Sequence, residues 1–214
     1  MRDSYTTVRR SAQSEIKVQA SRFIARVEPV RDPGEAREAL ASLRKEYFDA
    51  THHASAYRLG VDGAEARAQD DGEPSGTAGR PILAALERAG LTDVMVVVIR
   101  YFGGTKLGTG GLARAYGEAA AAALRETELV ERFVTGAIRA SFPHAQVSNV
   151  MRSVARLGAR VVETSYDEEV HLQLEIRLSK LEELTRALTE NTSGNIRMSP
   201  LVPKGGAPEA PPSG

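Results

Sequence analysis

Residues 96–118 read VVVIRYFGGTKLGTGGLARAYGE, and this stretch joins three kinds of local structure. Its first four residues are apolar and β-branched, which is typical of a buried strand. A loop with five glycines follows, and from Leu112 onward the sequence becomes rich in alanine and helical in pattern. Backbone N–H groups in such a loop, together with a helix N-terminus, can bind an anion. Five glycines can equally mark only turns and close backbone packing, so both interpretations stay open.

The formal charges of this stretch favour an anionic ligand. Arg100, Lys106 and Arg114 lie in it, and no acidic residue appears before Glu118. The glycine spacing matches neither the dinucleotide-binding fingerprint nor the Walker phosphate loop, so we predict no cofactor from it. The candidate phosphate-binding residues are Arg100, Tyr101, Gly103, Gly104, Lys106, Gly108, Gly110, Gly111 and Arg114.

A second polar stretch, DDGEPSGTAGRPIL at positions 70–83, precedes the central strand. Its carboxylates can hold a metal or orient a polar substrate, but their spacing resembles no known calcium loop. We favour the alternative that they pair with the basic loop or cap the next helix, and we predict no metal site. His52 and His53 are adjacent on a predicted strand, so their side chains should point to opposite faces of its sheet. The supporting residues of the site are Asp70, Asp71, Glu73, Ser75, Gly76, Thr77, His52 and His53.

The composition limits the class of protein. The chain has 214 residues, a formal net charge of +0, and neither cysteine nor tryptophan. Zero net charge argues against global electrostatic attraction to nucleic acid, though not against a local basic face. The absence of cysteine excludes disulfides, thiolate nucleophiles and cysteine-ligated zinc. No apolar run approaches the roughly 20 residues that span a bilayer, so we expect a cytoplasmic protein with no membrane partner.

The element pattern predicts two domains of mixed α and β structure. The predicted segments are a flexible arm at 1–15, a first domain at 16–128, a second domain at 132–200 and a disordered tail at 201–214. Within the first domain, residues 60–69 are interpreted as a polar loop. Within the second, the predicted order β-α-β-β-α-β is that of the split-βαβ, ferredoxin-like arrangement.

Taken together, the two polar stretches resemble the signature of the YigZ/IMPACT family. DDGEPSGTAGRPIL (70–83) and VIRYFGGTKLGTGGLARAYGEA (98–119) carry the resemblance, and ATHHASAYRL (50–59) is similar to the family's first motif. The resemblance implies an α+β protein. Its N-terminal domain would resemble the second domain of ribosomal protein S-five, and its ferredoxin-like C-terminal domain would resemble domain V of elongation factor G. Many relatives carry Cys where this chain has Ala54, so no mechanism that needs a thiolate there is implied.

The resemblance also implies a role in the regulation of translation. Eukaryotic relatives act through an extra N-terminal domain that binds the activator of a stress kinase, and we expect no such partner for this chain. For bacterial members the resemblance implies a nucleic-acid- or ribosome-associated binding protein. In that hypothesis the basic residues contact phosphates, and Tyr101 or Phe102 stacks on a base. A protein–protein adaptor remains a further possibility, with a protein as partner.

The alternative from a different class is an enzyme that acts on a small phosphorylated ligand or nucleotide with a divalent metal. In that hypothesis Asp70, Asp71 or Glu73 would hold Mg²⁺, and His52 or His53 would carry a proton. No catalytic base is fixed by spacing, so a binding protein is favoured over an enzyme.

Overall fold

The computed structural model describes residues 4–201, which form two compact units of mixed helix and sheet. One unit comprises Tyr5–Arg132, and the other comprises Ser4 together with the chain from Phe133 onward. The α+β class is therefore confirmed. Within the described residues, no helix combines the length and the apolar character that crossing a membrane requires. Apart from Leu201, the predicted tail lies outside the described residues.

The first unit is built on a five-stranded antiparallel sheet. The elements up to residue 133 are β1 (Ser4–Val8), β2 (Ala12–Val18), β3 (Ser21–Pro29), α1 (Pro33–Glu46), β4 (His52–Leu59), β5 (Glu65–Gln69), α2 (Gly79–Ala89), β6 (Val94–Tyr101), α3 (Gly108–Arg125) and β7 (Leu129–Phe133). The sheet has the order β2-β3-β6-β4-β5, and β1 pairs with β7 in a separate two-stranded sheet.

The central strand β6 is buried because both faces of the sheet are covered. Its even-numbered residues from Val94 to Val98 join the core beneath α2 and α3. Its odd-numbered residues from Met95 to Ile99 join a second core beneath α1. Successive side chains of a strand point to opposite faces, so the same alternation directs Arg100 towards α2 and α3 and Tyr101 towards α1.

Local sequence signals account for the start of α1 and the end of α2. Asp32 caps α1, because its Oδ1 accepts hydrogen bonds from the backbone N–H groups of Gly34 at 2.6 Å and Glu35 at 2.9 Å. Proline follows at the first helical position, where its missing N–H costs nothing. Gly90 ends α2 in the left-handed conformation with φ of 67°, as the predicted C-cap requires.

Three predictions for the first unit were wrong. Residues 4–8 and 12–18, assigned mostly to a flexible arm, form β1 and β2. The partner of β1 is β7, which lies far along the chain, so no local pattern could reveal this pairing. Residues 65–69 form the edge strand β5, whose side chains are largely exposed and whose alternating apolar residues are only the alanines Ala66 and Ala68. Helix α3 begins at Gly108 rather than Leu112, so the glycine loop is shorter than predicted.

The second unit has the β-α-β-β-α-β order that the sequence predicted. Its elements are β8 (Thr135–Phe142), α4 (Val147–Leu157), β9 (Arg160–Tyr166), β10 (Val170–Arg177), α5 (Leu181–Asn191) and β11 (Arg197–Leu201). The antiparallel sheet has the order β11-β8-β10-β9. Residues of both helices, such as Val150 and Leu184, pack with strand residues such as Leu174 in one core. This arrangement is the split-βαβ motif.

Candidate functional site

A cavity of about 470 Å³ lies in the first unit at the end of β6, and we call it the β6 cavity. It is lined by Thr51, His52, Glu73, Pro74, Arg100, Phe102, Lys106, Leu107, Gly108, Thr109 and Leu112. The walls therefore come from β4, β6, the acidic stretch and the start of α3. Small-molecule sites in proteins span roughly 300–1,000 Å³, so the cavity has the size of a ligand site.

Glu73 and Arg100 form a buried ion pair in the cavity wall. Nη1 of Arg100 donates to Oε1 of Glu73 at 2.6 Å, and the two side chains are 6% and 4% exposed respectively. The hydroxyl of Tyr116 donates to the same Oε1 at 2.8 Å. Burial, followed by the bond to Glu73, raises the pKa of Tyr116, so its hydroxyl stays protonated. Arg100 thus enters the site with its charge compensated by a carboxylate of the acidic stretch, in line with the favoured interpretation that this stretch pairs with the basic one.

The guanidinium of Arg100 also has one unsatisfied donor. Its carbon lies 5.4 Å from the ring centroids of both Phe23 and Phe102, and Nη2 donates to Oγ of Ser21 at 3.4 Å. Nε is buried and has no hydrogen-bond partner among residues 4–201. A buried donor without an acceptor is costly.

The two histidines point to opposite faces of the sheet, as predicted. His52 pairs with Arg100 and lines the cavity, whereas His53 pairs with Ile99 and faces α1. Nδ1 of His52 lies 2.8 Å from the backbone oxygen of Asp71, so Nδ1 carries the proton. Nε2 of His52 is 3.9 Å from Oε1 of Glu73. Burial lowers the pKa of His53, with Arg44 and His52 contributing in the same direction, against the attraction of Asp71.

The carboxylates of the acidic stretch (residues 70–83) make different structural contacts. Asp70 accepts hydrogen bonds from the backbone N–H groups of Gly76, Ala78 and Gly79 at 2.8–3.0 Å, and so it caps α2. Burial alone would raise the pKa of Asp70, but these three donors outweigh it and the net shift is downward. Asp71 forms an ion pair with Arg44 of α1.

These carboxylates do not converge on a metal. No group of three or more His, Cys, Asp or Glu side chains between residues 4 and 201 is placed to hold one. The helix-cap interpretation of the stretch fits Asp70, but Asp71 pairs with α1 rather than with the basic loop. Thr77 is buried and donates to the backbone oxygen of Pro74, whereas Ser75 is exposed; neither lines the β6 cavity.

The five glycines of the loop serve different purposes. A Cβ at Gly103 would lie 1.9 Å from the backbone oxygen of Ala20, so close packing requires glycine there. Gly104 and Gly108 have φ of 87° and 69°, in the left-handed region that glycine adopts readily. Gly110 and Gly111 belong to the first turn of α3, and a Cβ at Gly110 would meet open space.

The N-terminus of α3 opens on the cavity. No side chain caps it, no acidic residue lies in its first turn, and Gly108 and Thr109 line the cavity wall. The first N–H groups of a helix have no intrahelical acceptor and carry partial positive charge. Lys106, also exposed, adds a full positive charge beside them.

Of the nine predicted phosphate-binding residues, Arg100, Lys106 and Gly108 line the cavity wall, whereas the others do not: Tyr101, Gly103, Gly104, Gly110, Gly111 and Arg114. Arg114 is exposed on α3, but it is not among the lining residues. Tyr101 faces α1, where its hydroxyl donates to Asp49 at 2.8 Å and the Arg22 guanidinium lies 4.6 Å from its ring centroid. Tyr101 therefore lies on the face of the sheet opposite the β6 cavity.

The sequence analysis missed Tyr116 and Thr51. Tyr116 is fully buried in the alanine-rich face of α3 and bonds to Glu73. A tyrosine among helical alanines signals a hydroxyl that needs a buried partner, and this signal was available. Thr51 lies at the start of β4 and carries no comparable local signal.

Comparisons with known proteins agree on the family. Residues 19–124 match the model described as the Impact N-terminal domain, and residues 141–195 match a domain of unknown function (DUF1949). The chain is 36% identical over 194 residues to IMPACT family member YvyE of Bacillus subtilis (strain 168), covering 91% of this chain and 89% of that protein. It is 30% identical over 184 residues to IMPACT family member YigZ of Escherichia coli (strain K12), covering 85% and 90% respectively.

A solved structure supports the fold over nearly the whole chain. The crystal structure of a hypothetical protein superposes with a TM-score of 0.73 at 27% identity. The match covers 95% of this chain and 100% of that one.

Proposed function

This chain belongs to the IMPACT family, and we propose that its β6 cavity binds a phosphate group of RNA, in a protein that associates with RNA or the ribosome and takes part in the regulation of translation. The phosphate lies against the uncapped N-terminus of α3. The part in translation is inferred from the family resemblance, and the binding chemistry is inferred from the cavity.

The arrangement of charge at the α3 N-terminus carries the proposal. Glu73 and Arg100 cancel each other, which leaves Lys106 and the unbonded N–H groups of α3 as the net positive contribution to the cavity. Backbone N–H groups at a helix start bind phosphate oxygens directly.

The apolar lining fits the remainder of a nucleotide. Phe102, Leu107 and Leu112 contribute side chains to the cavity wall. A nucleobase is flat and largely apolar on its faces, so such a wall accommodates it, while the phosphate fixes its position.

The test measures RNA binding across a salt series. Wild type, Lys106→Ala and the control Arg125→Ala are titrated with a labelled single-stranded RNA. Arg125 lies at the other end of α3, about 25 Å along the helix axis. We expect the affinity of wild type to fall with salt, and the slope of log K against log salt to become shallower by about 1 only in Lys106→Ala. Absence of wild-type binding at low salt, or equal behaviour of the two variants, would refute the proposal.

A second candidate function is catalysis on a small phosphorylated ligand, and the position of His52 favours it. His52 lines the cavity and its Nε2 faces the carboxylate of Glu73 at 3.9 Å. A histidine so placed can act as a proton carrier. Incubation with nucleoside triphosphates and Mg²⁺ tests it: we expect phosphate release by wild type and its loss in His52→Ala. Wild type that releases no phosphate would eliminate this candidate.

A further inference from the structure

Two exposed phenylalanines lie at the end of the sheet where the β6 cavity opens. Phe48, between α1 and β4, is 83% exposed, and Phe102, directly after β6, is 47% exposed. Phe102 lines the cavity, whereas Phe48 lies outside it. Neither ring contributes to the cores of the first unit. Both rings are therefore accessible to a bound molecule.

Hydrogen bonds fix the segment that carries Phe48 to the end of β6. The backbone N–H of Thr51 donates to the backbone oxygen of Arg100 at 2.8 Å. Oγ1 of Thr51 accepts from the backbone N–H of Phe102 at 3.1 Å. A neighbouring bond joins Asp49 to the Tyr101 hydroxyl. The ring of Phe48 is thus presented from a braced turn, which keeps the entropic cost of binding to it low.

Both positive and negative side chains lie near these rings, and the cation Arg100 lies against the Phe102 ring. The Arg100 guanidinium lies 5.4 Å from the Phe102 ring centroid. Lys45 is exposed in the last turn of α1, close in sequence to Phe48. Two exposed carboxylates lie close in sequence to Phe48: Asp49 is engaged with Tyr101, and Glu46 is engaged with Arg26. This environment tolerates a negatively charged backbone that passes over aromatic rings.

We infer that the ligand is a single-stranded nucleic acid, with one base against Phe102 in the cavity and a further base of the same strand stacked on Phe48 outside it. This inference rests on the proposed phosphate site. Exposed aromatic side chains stack on unpaired bases, whereas a duplex keeps the faces of its bases covered. An isolated nucleotide would use the cavity alone and leave Phe48 without a role.

The test compares ligands of different length on matched variants. Wild type, Phe48→Ala and the control Leu129→Ala, which truncates another exposed apolar side chain (54% exposed), are titrated with an RNA decamer and with a mononucleotide. We expect Phe48→Ala to weaken decamer binding by about 5- to 100-fold and to leave mononucleotide binding unchanged. Leu129→Ala should match wild type with both ligands. A single-stranded DNA decamer shows whether the 2′-hydroxyl contributes.

A second variant gives a direct signal. The chain contains no tryptophan, so Phe48→Trp introduces a single reporter that can still stack. We expect the decamer to quench its fluorescence and an abasic decamer to leave it unchanged. The inference would be overturned if Phe48→Ala and Leu129→Ala bound the decamer with equal affinity. It would also be overturned if wild type bound duplex and single-stranded RNA equally tightly. If Lys106→Ala still weakens binding in that case, the proposed phosphate site stands; if wild type binds no ligand at low salt, the phosphate site itself fails.

Discussion

Replacing Glu73 by alanine should destabilise the first unit strongly. The substitution removes the carboxylate that accepts from both Arg100 and Tyr116, at 2.6 Å and 2.8 Å. The Arg100 side chain is only 6% exposed, so its positive charge cannot turn to water in the folded protein. Its remaining polar contact is the 3.4 Å bond to Ser21. Glu73→Ala therefore leaves a buried cation without a counterion and a buried hydroxyl without an acceptor.

The magnitude follows from the burial of the pair. Removing one partner of a buried ion pair costs about 3–5 kcal/mol, because the other charge is left uncompensated. Tyr116→Phe, which removes only the hydroxyl, should cost about 1–2 kcal/mol. The double variant Glu73→Leu/Arg100→Met replaces both charges with apolar groups, so it should recover most of the loss. Comparing these three variants distinguishes the cost of the uncompensated charge from the cost of the lost packing.

Urea unfolding monitored by tyrosine fluorescence measures the loss of stability in the first unit. Five of the six tyrosines, all except Tyr166, lie in Tyr5–Arg132, and no tryptophan obscures them. We expect the free energy of unfolding to fall by about 3–5 kcal/mol in Glu73→Ala. A loss below about 1 kcal/mol, or a double variant no more stable than Glu73→Ala, would show that the pair does not hold the cavity wall together.

Two further predictions concern a glycine pair and the pH dependence of stability. Gly103→Ala should cost about 2 kcal/mol or more of folding stability, because its Cβ would lie 1.9 Å from the Ala20 oxygen. Gly110→Ala, whose Cβ would meet open space, should be neutral or stabilise the protein by up to about 1 kcal/mol. The urea unfolding midpoints of the two variants test this difference, and equal losses of stability would contradict it. Burial lowers the pKa of His53, so as pH falls below about 6.5 the unfolded chain binds a proton that the folded chain resists, and stability falls. Wild type should lose more stability than His53→Gln between pH 7.5 and 5.5, and parallel losses would contradict the buried neutral state.

Features with local causes could be predicted from the sequence, and features made by distant residues could not. The apolar run at residues 96–99 predicted strand β6. Asp32 and Gly90 are local signals for the start of α1 and the end of α2. The pairing of β1 with β7 depends on residues far apart in the chain, so the N-terminal segment was assigned to a flexible arm. The exposed edge strand β5 was assigned to a loop because it lacks a buried face.

The same distinction applies to the site. Strand alternation correctly separated His52 from His53, and the same rule, had it been applied to β6, would have separated Arg100 from Tyr101. The Glu73–Arg100 pair joins residues 27 positions apart, and nothing local shows that they meet. Pairing of the acidic stretch with the basic one was the favoured interpretation, but the sequence did not show that Glu73 and Arg100 are the two residues that pair.

The mutual neutralisation of this pair changes which residues are available to a ligand. Most members of the two motifs already have structural partners: Asp70 caps α2, Asp71 holds Arg44, and Gly103 packs on Ala20. The groups left without such duties are the exposed Lys106 and the uncapped N–H groups of α3, which meet at one cavity. Carboxylates that are engaged within the fold, beside open donors at one cavity, support our proposal that the cavity binds an anion. The same arrangement is the physical reason why we propose phosphate as that anion.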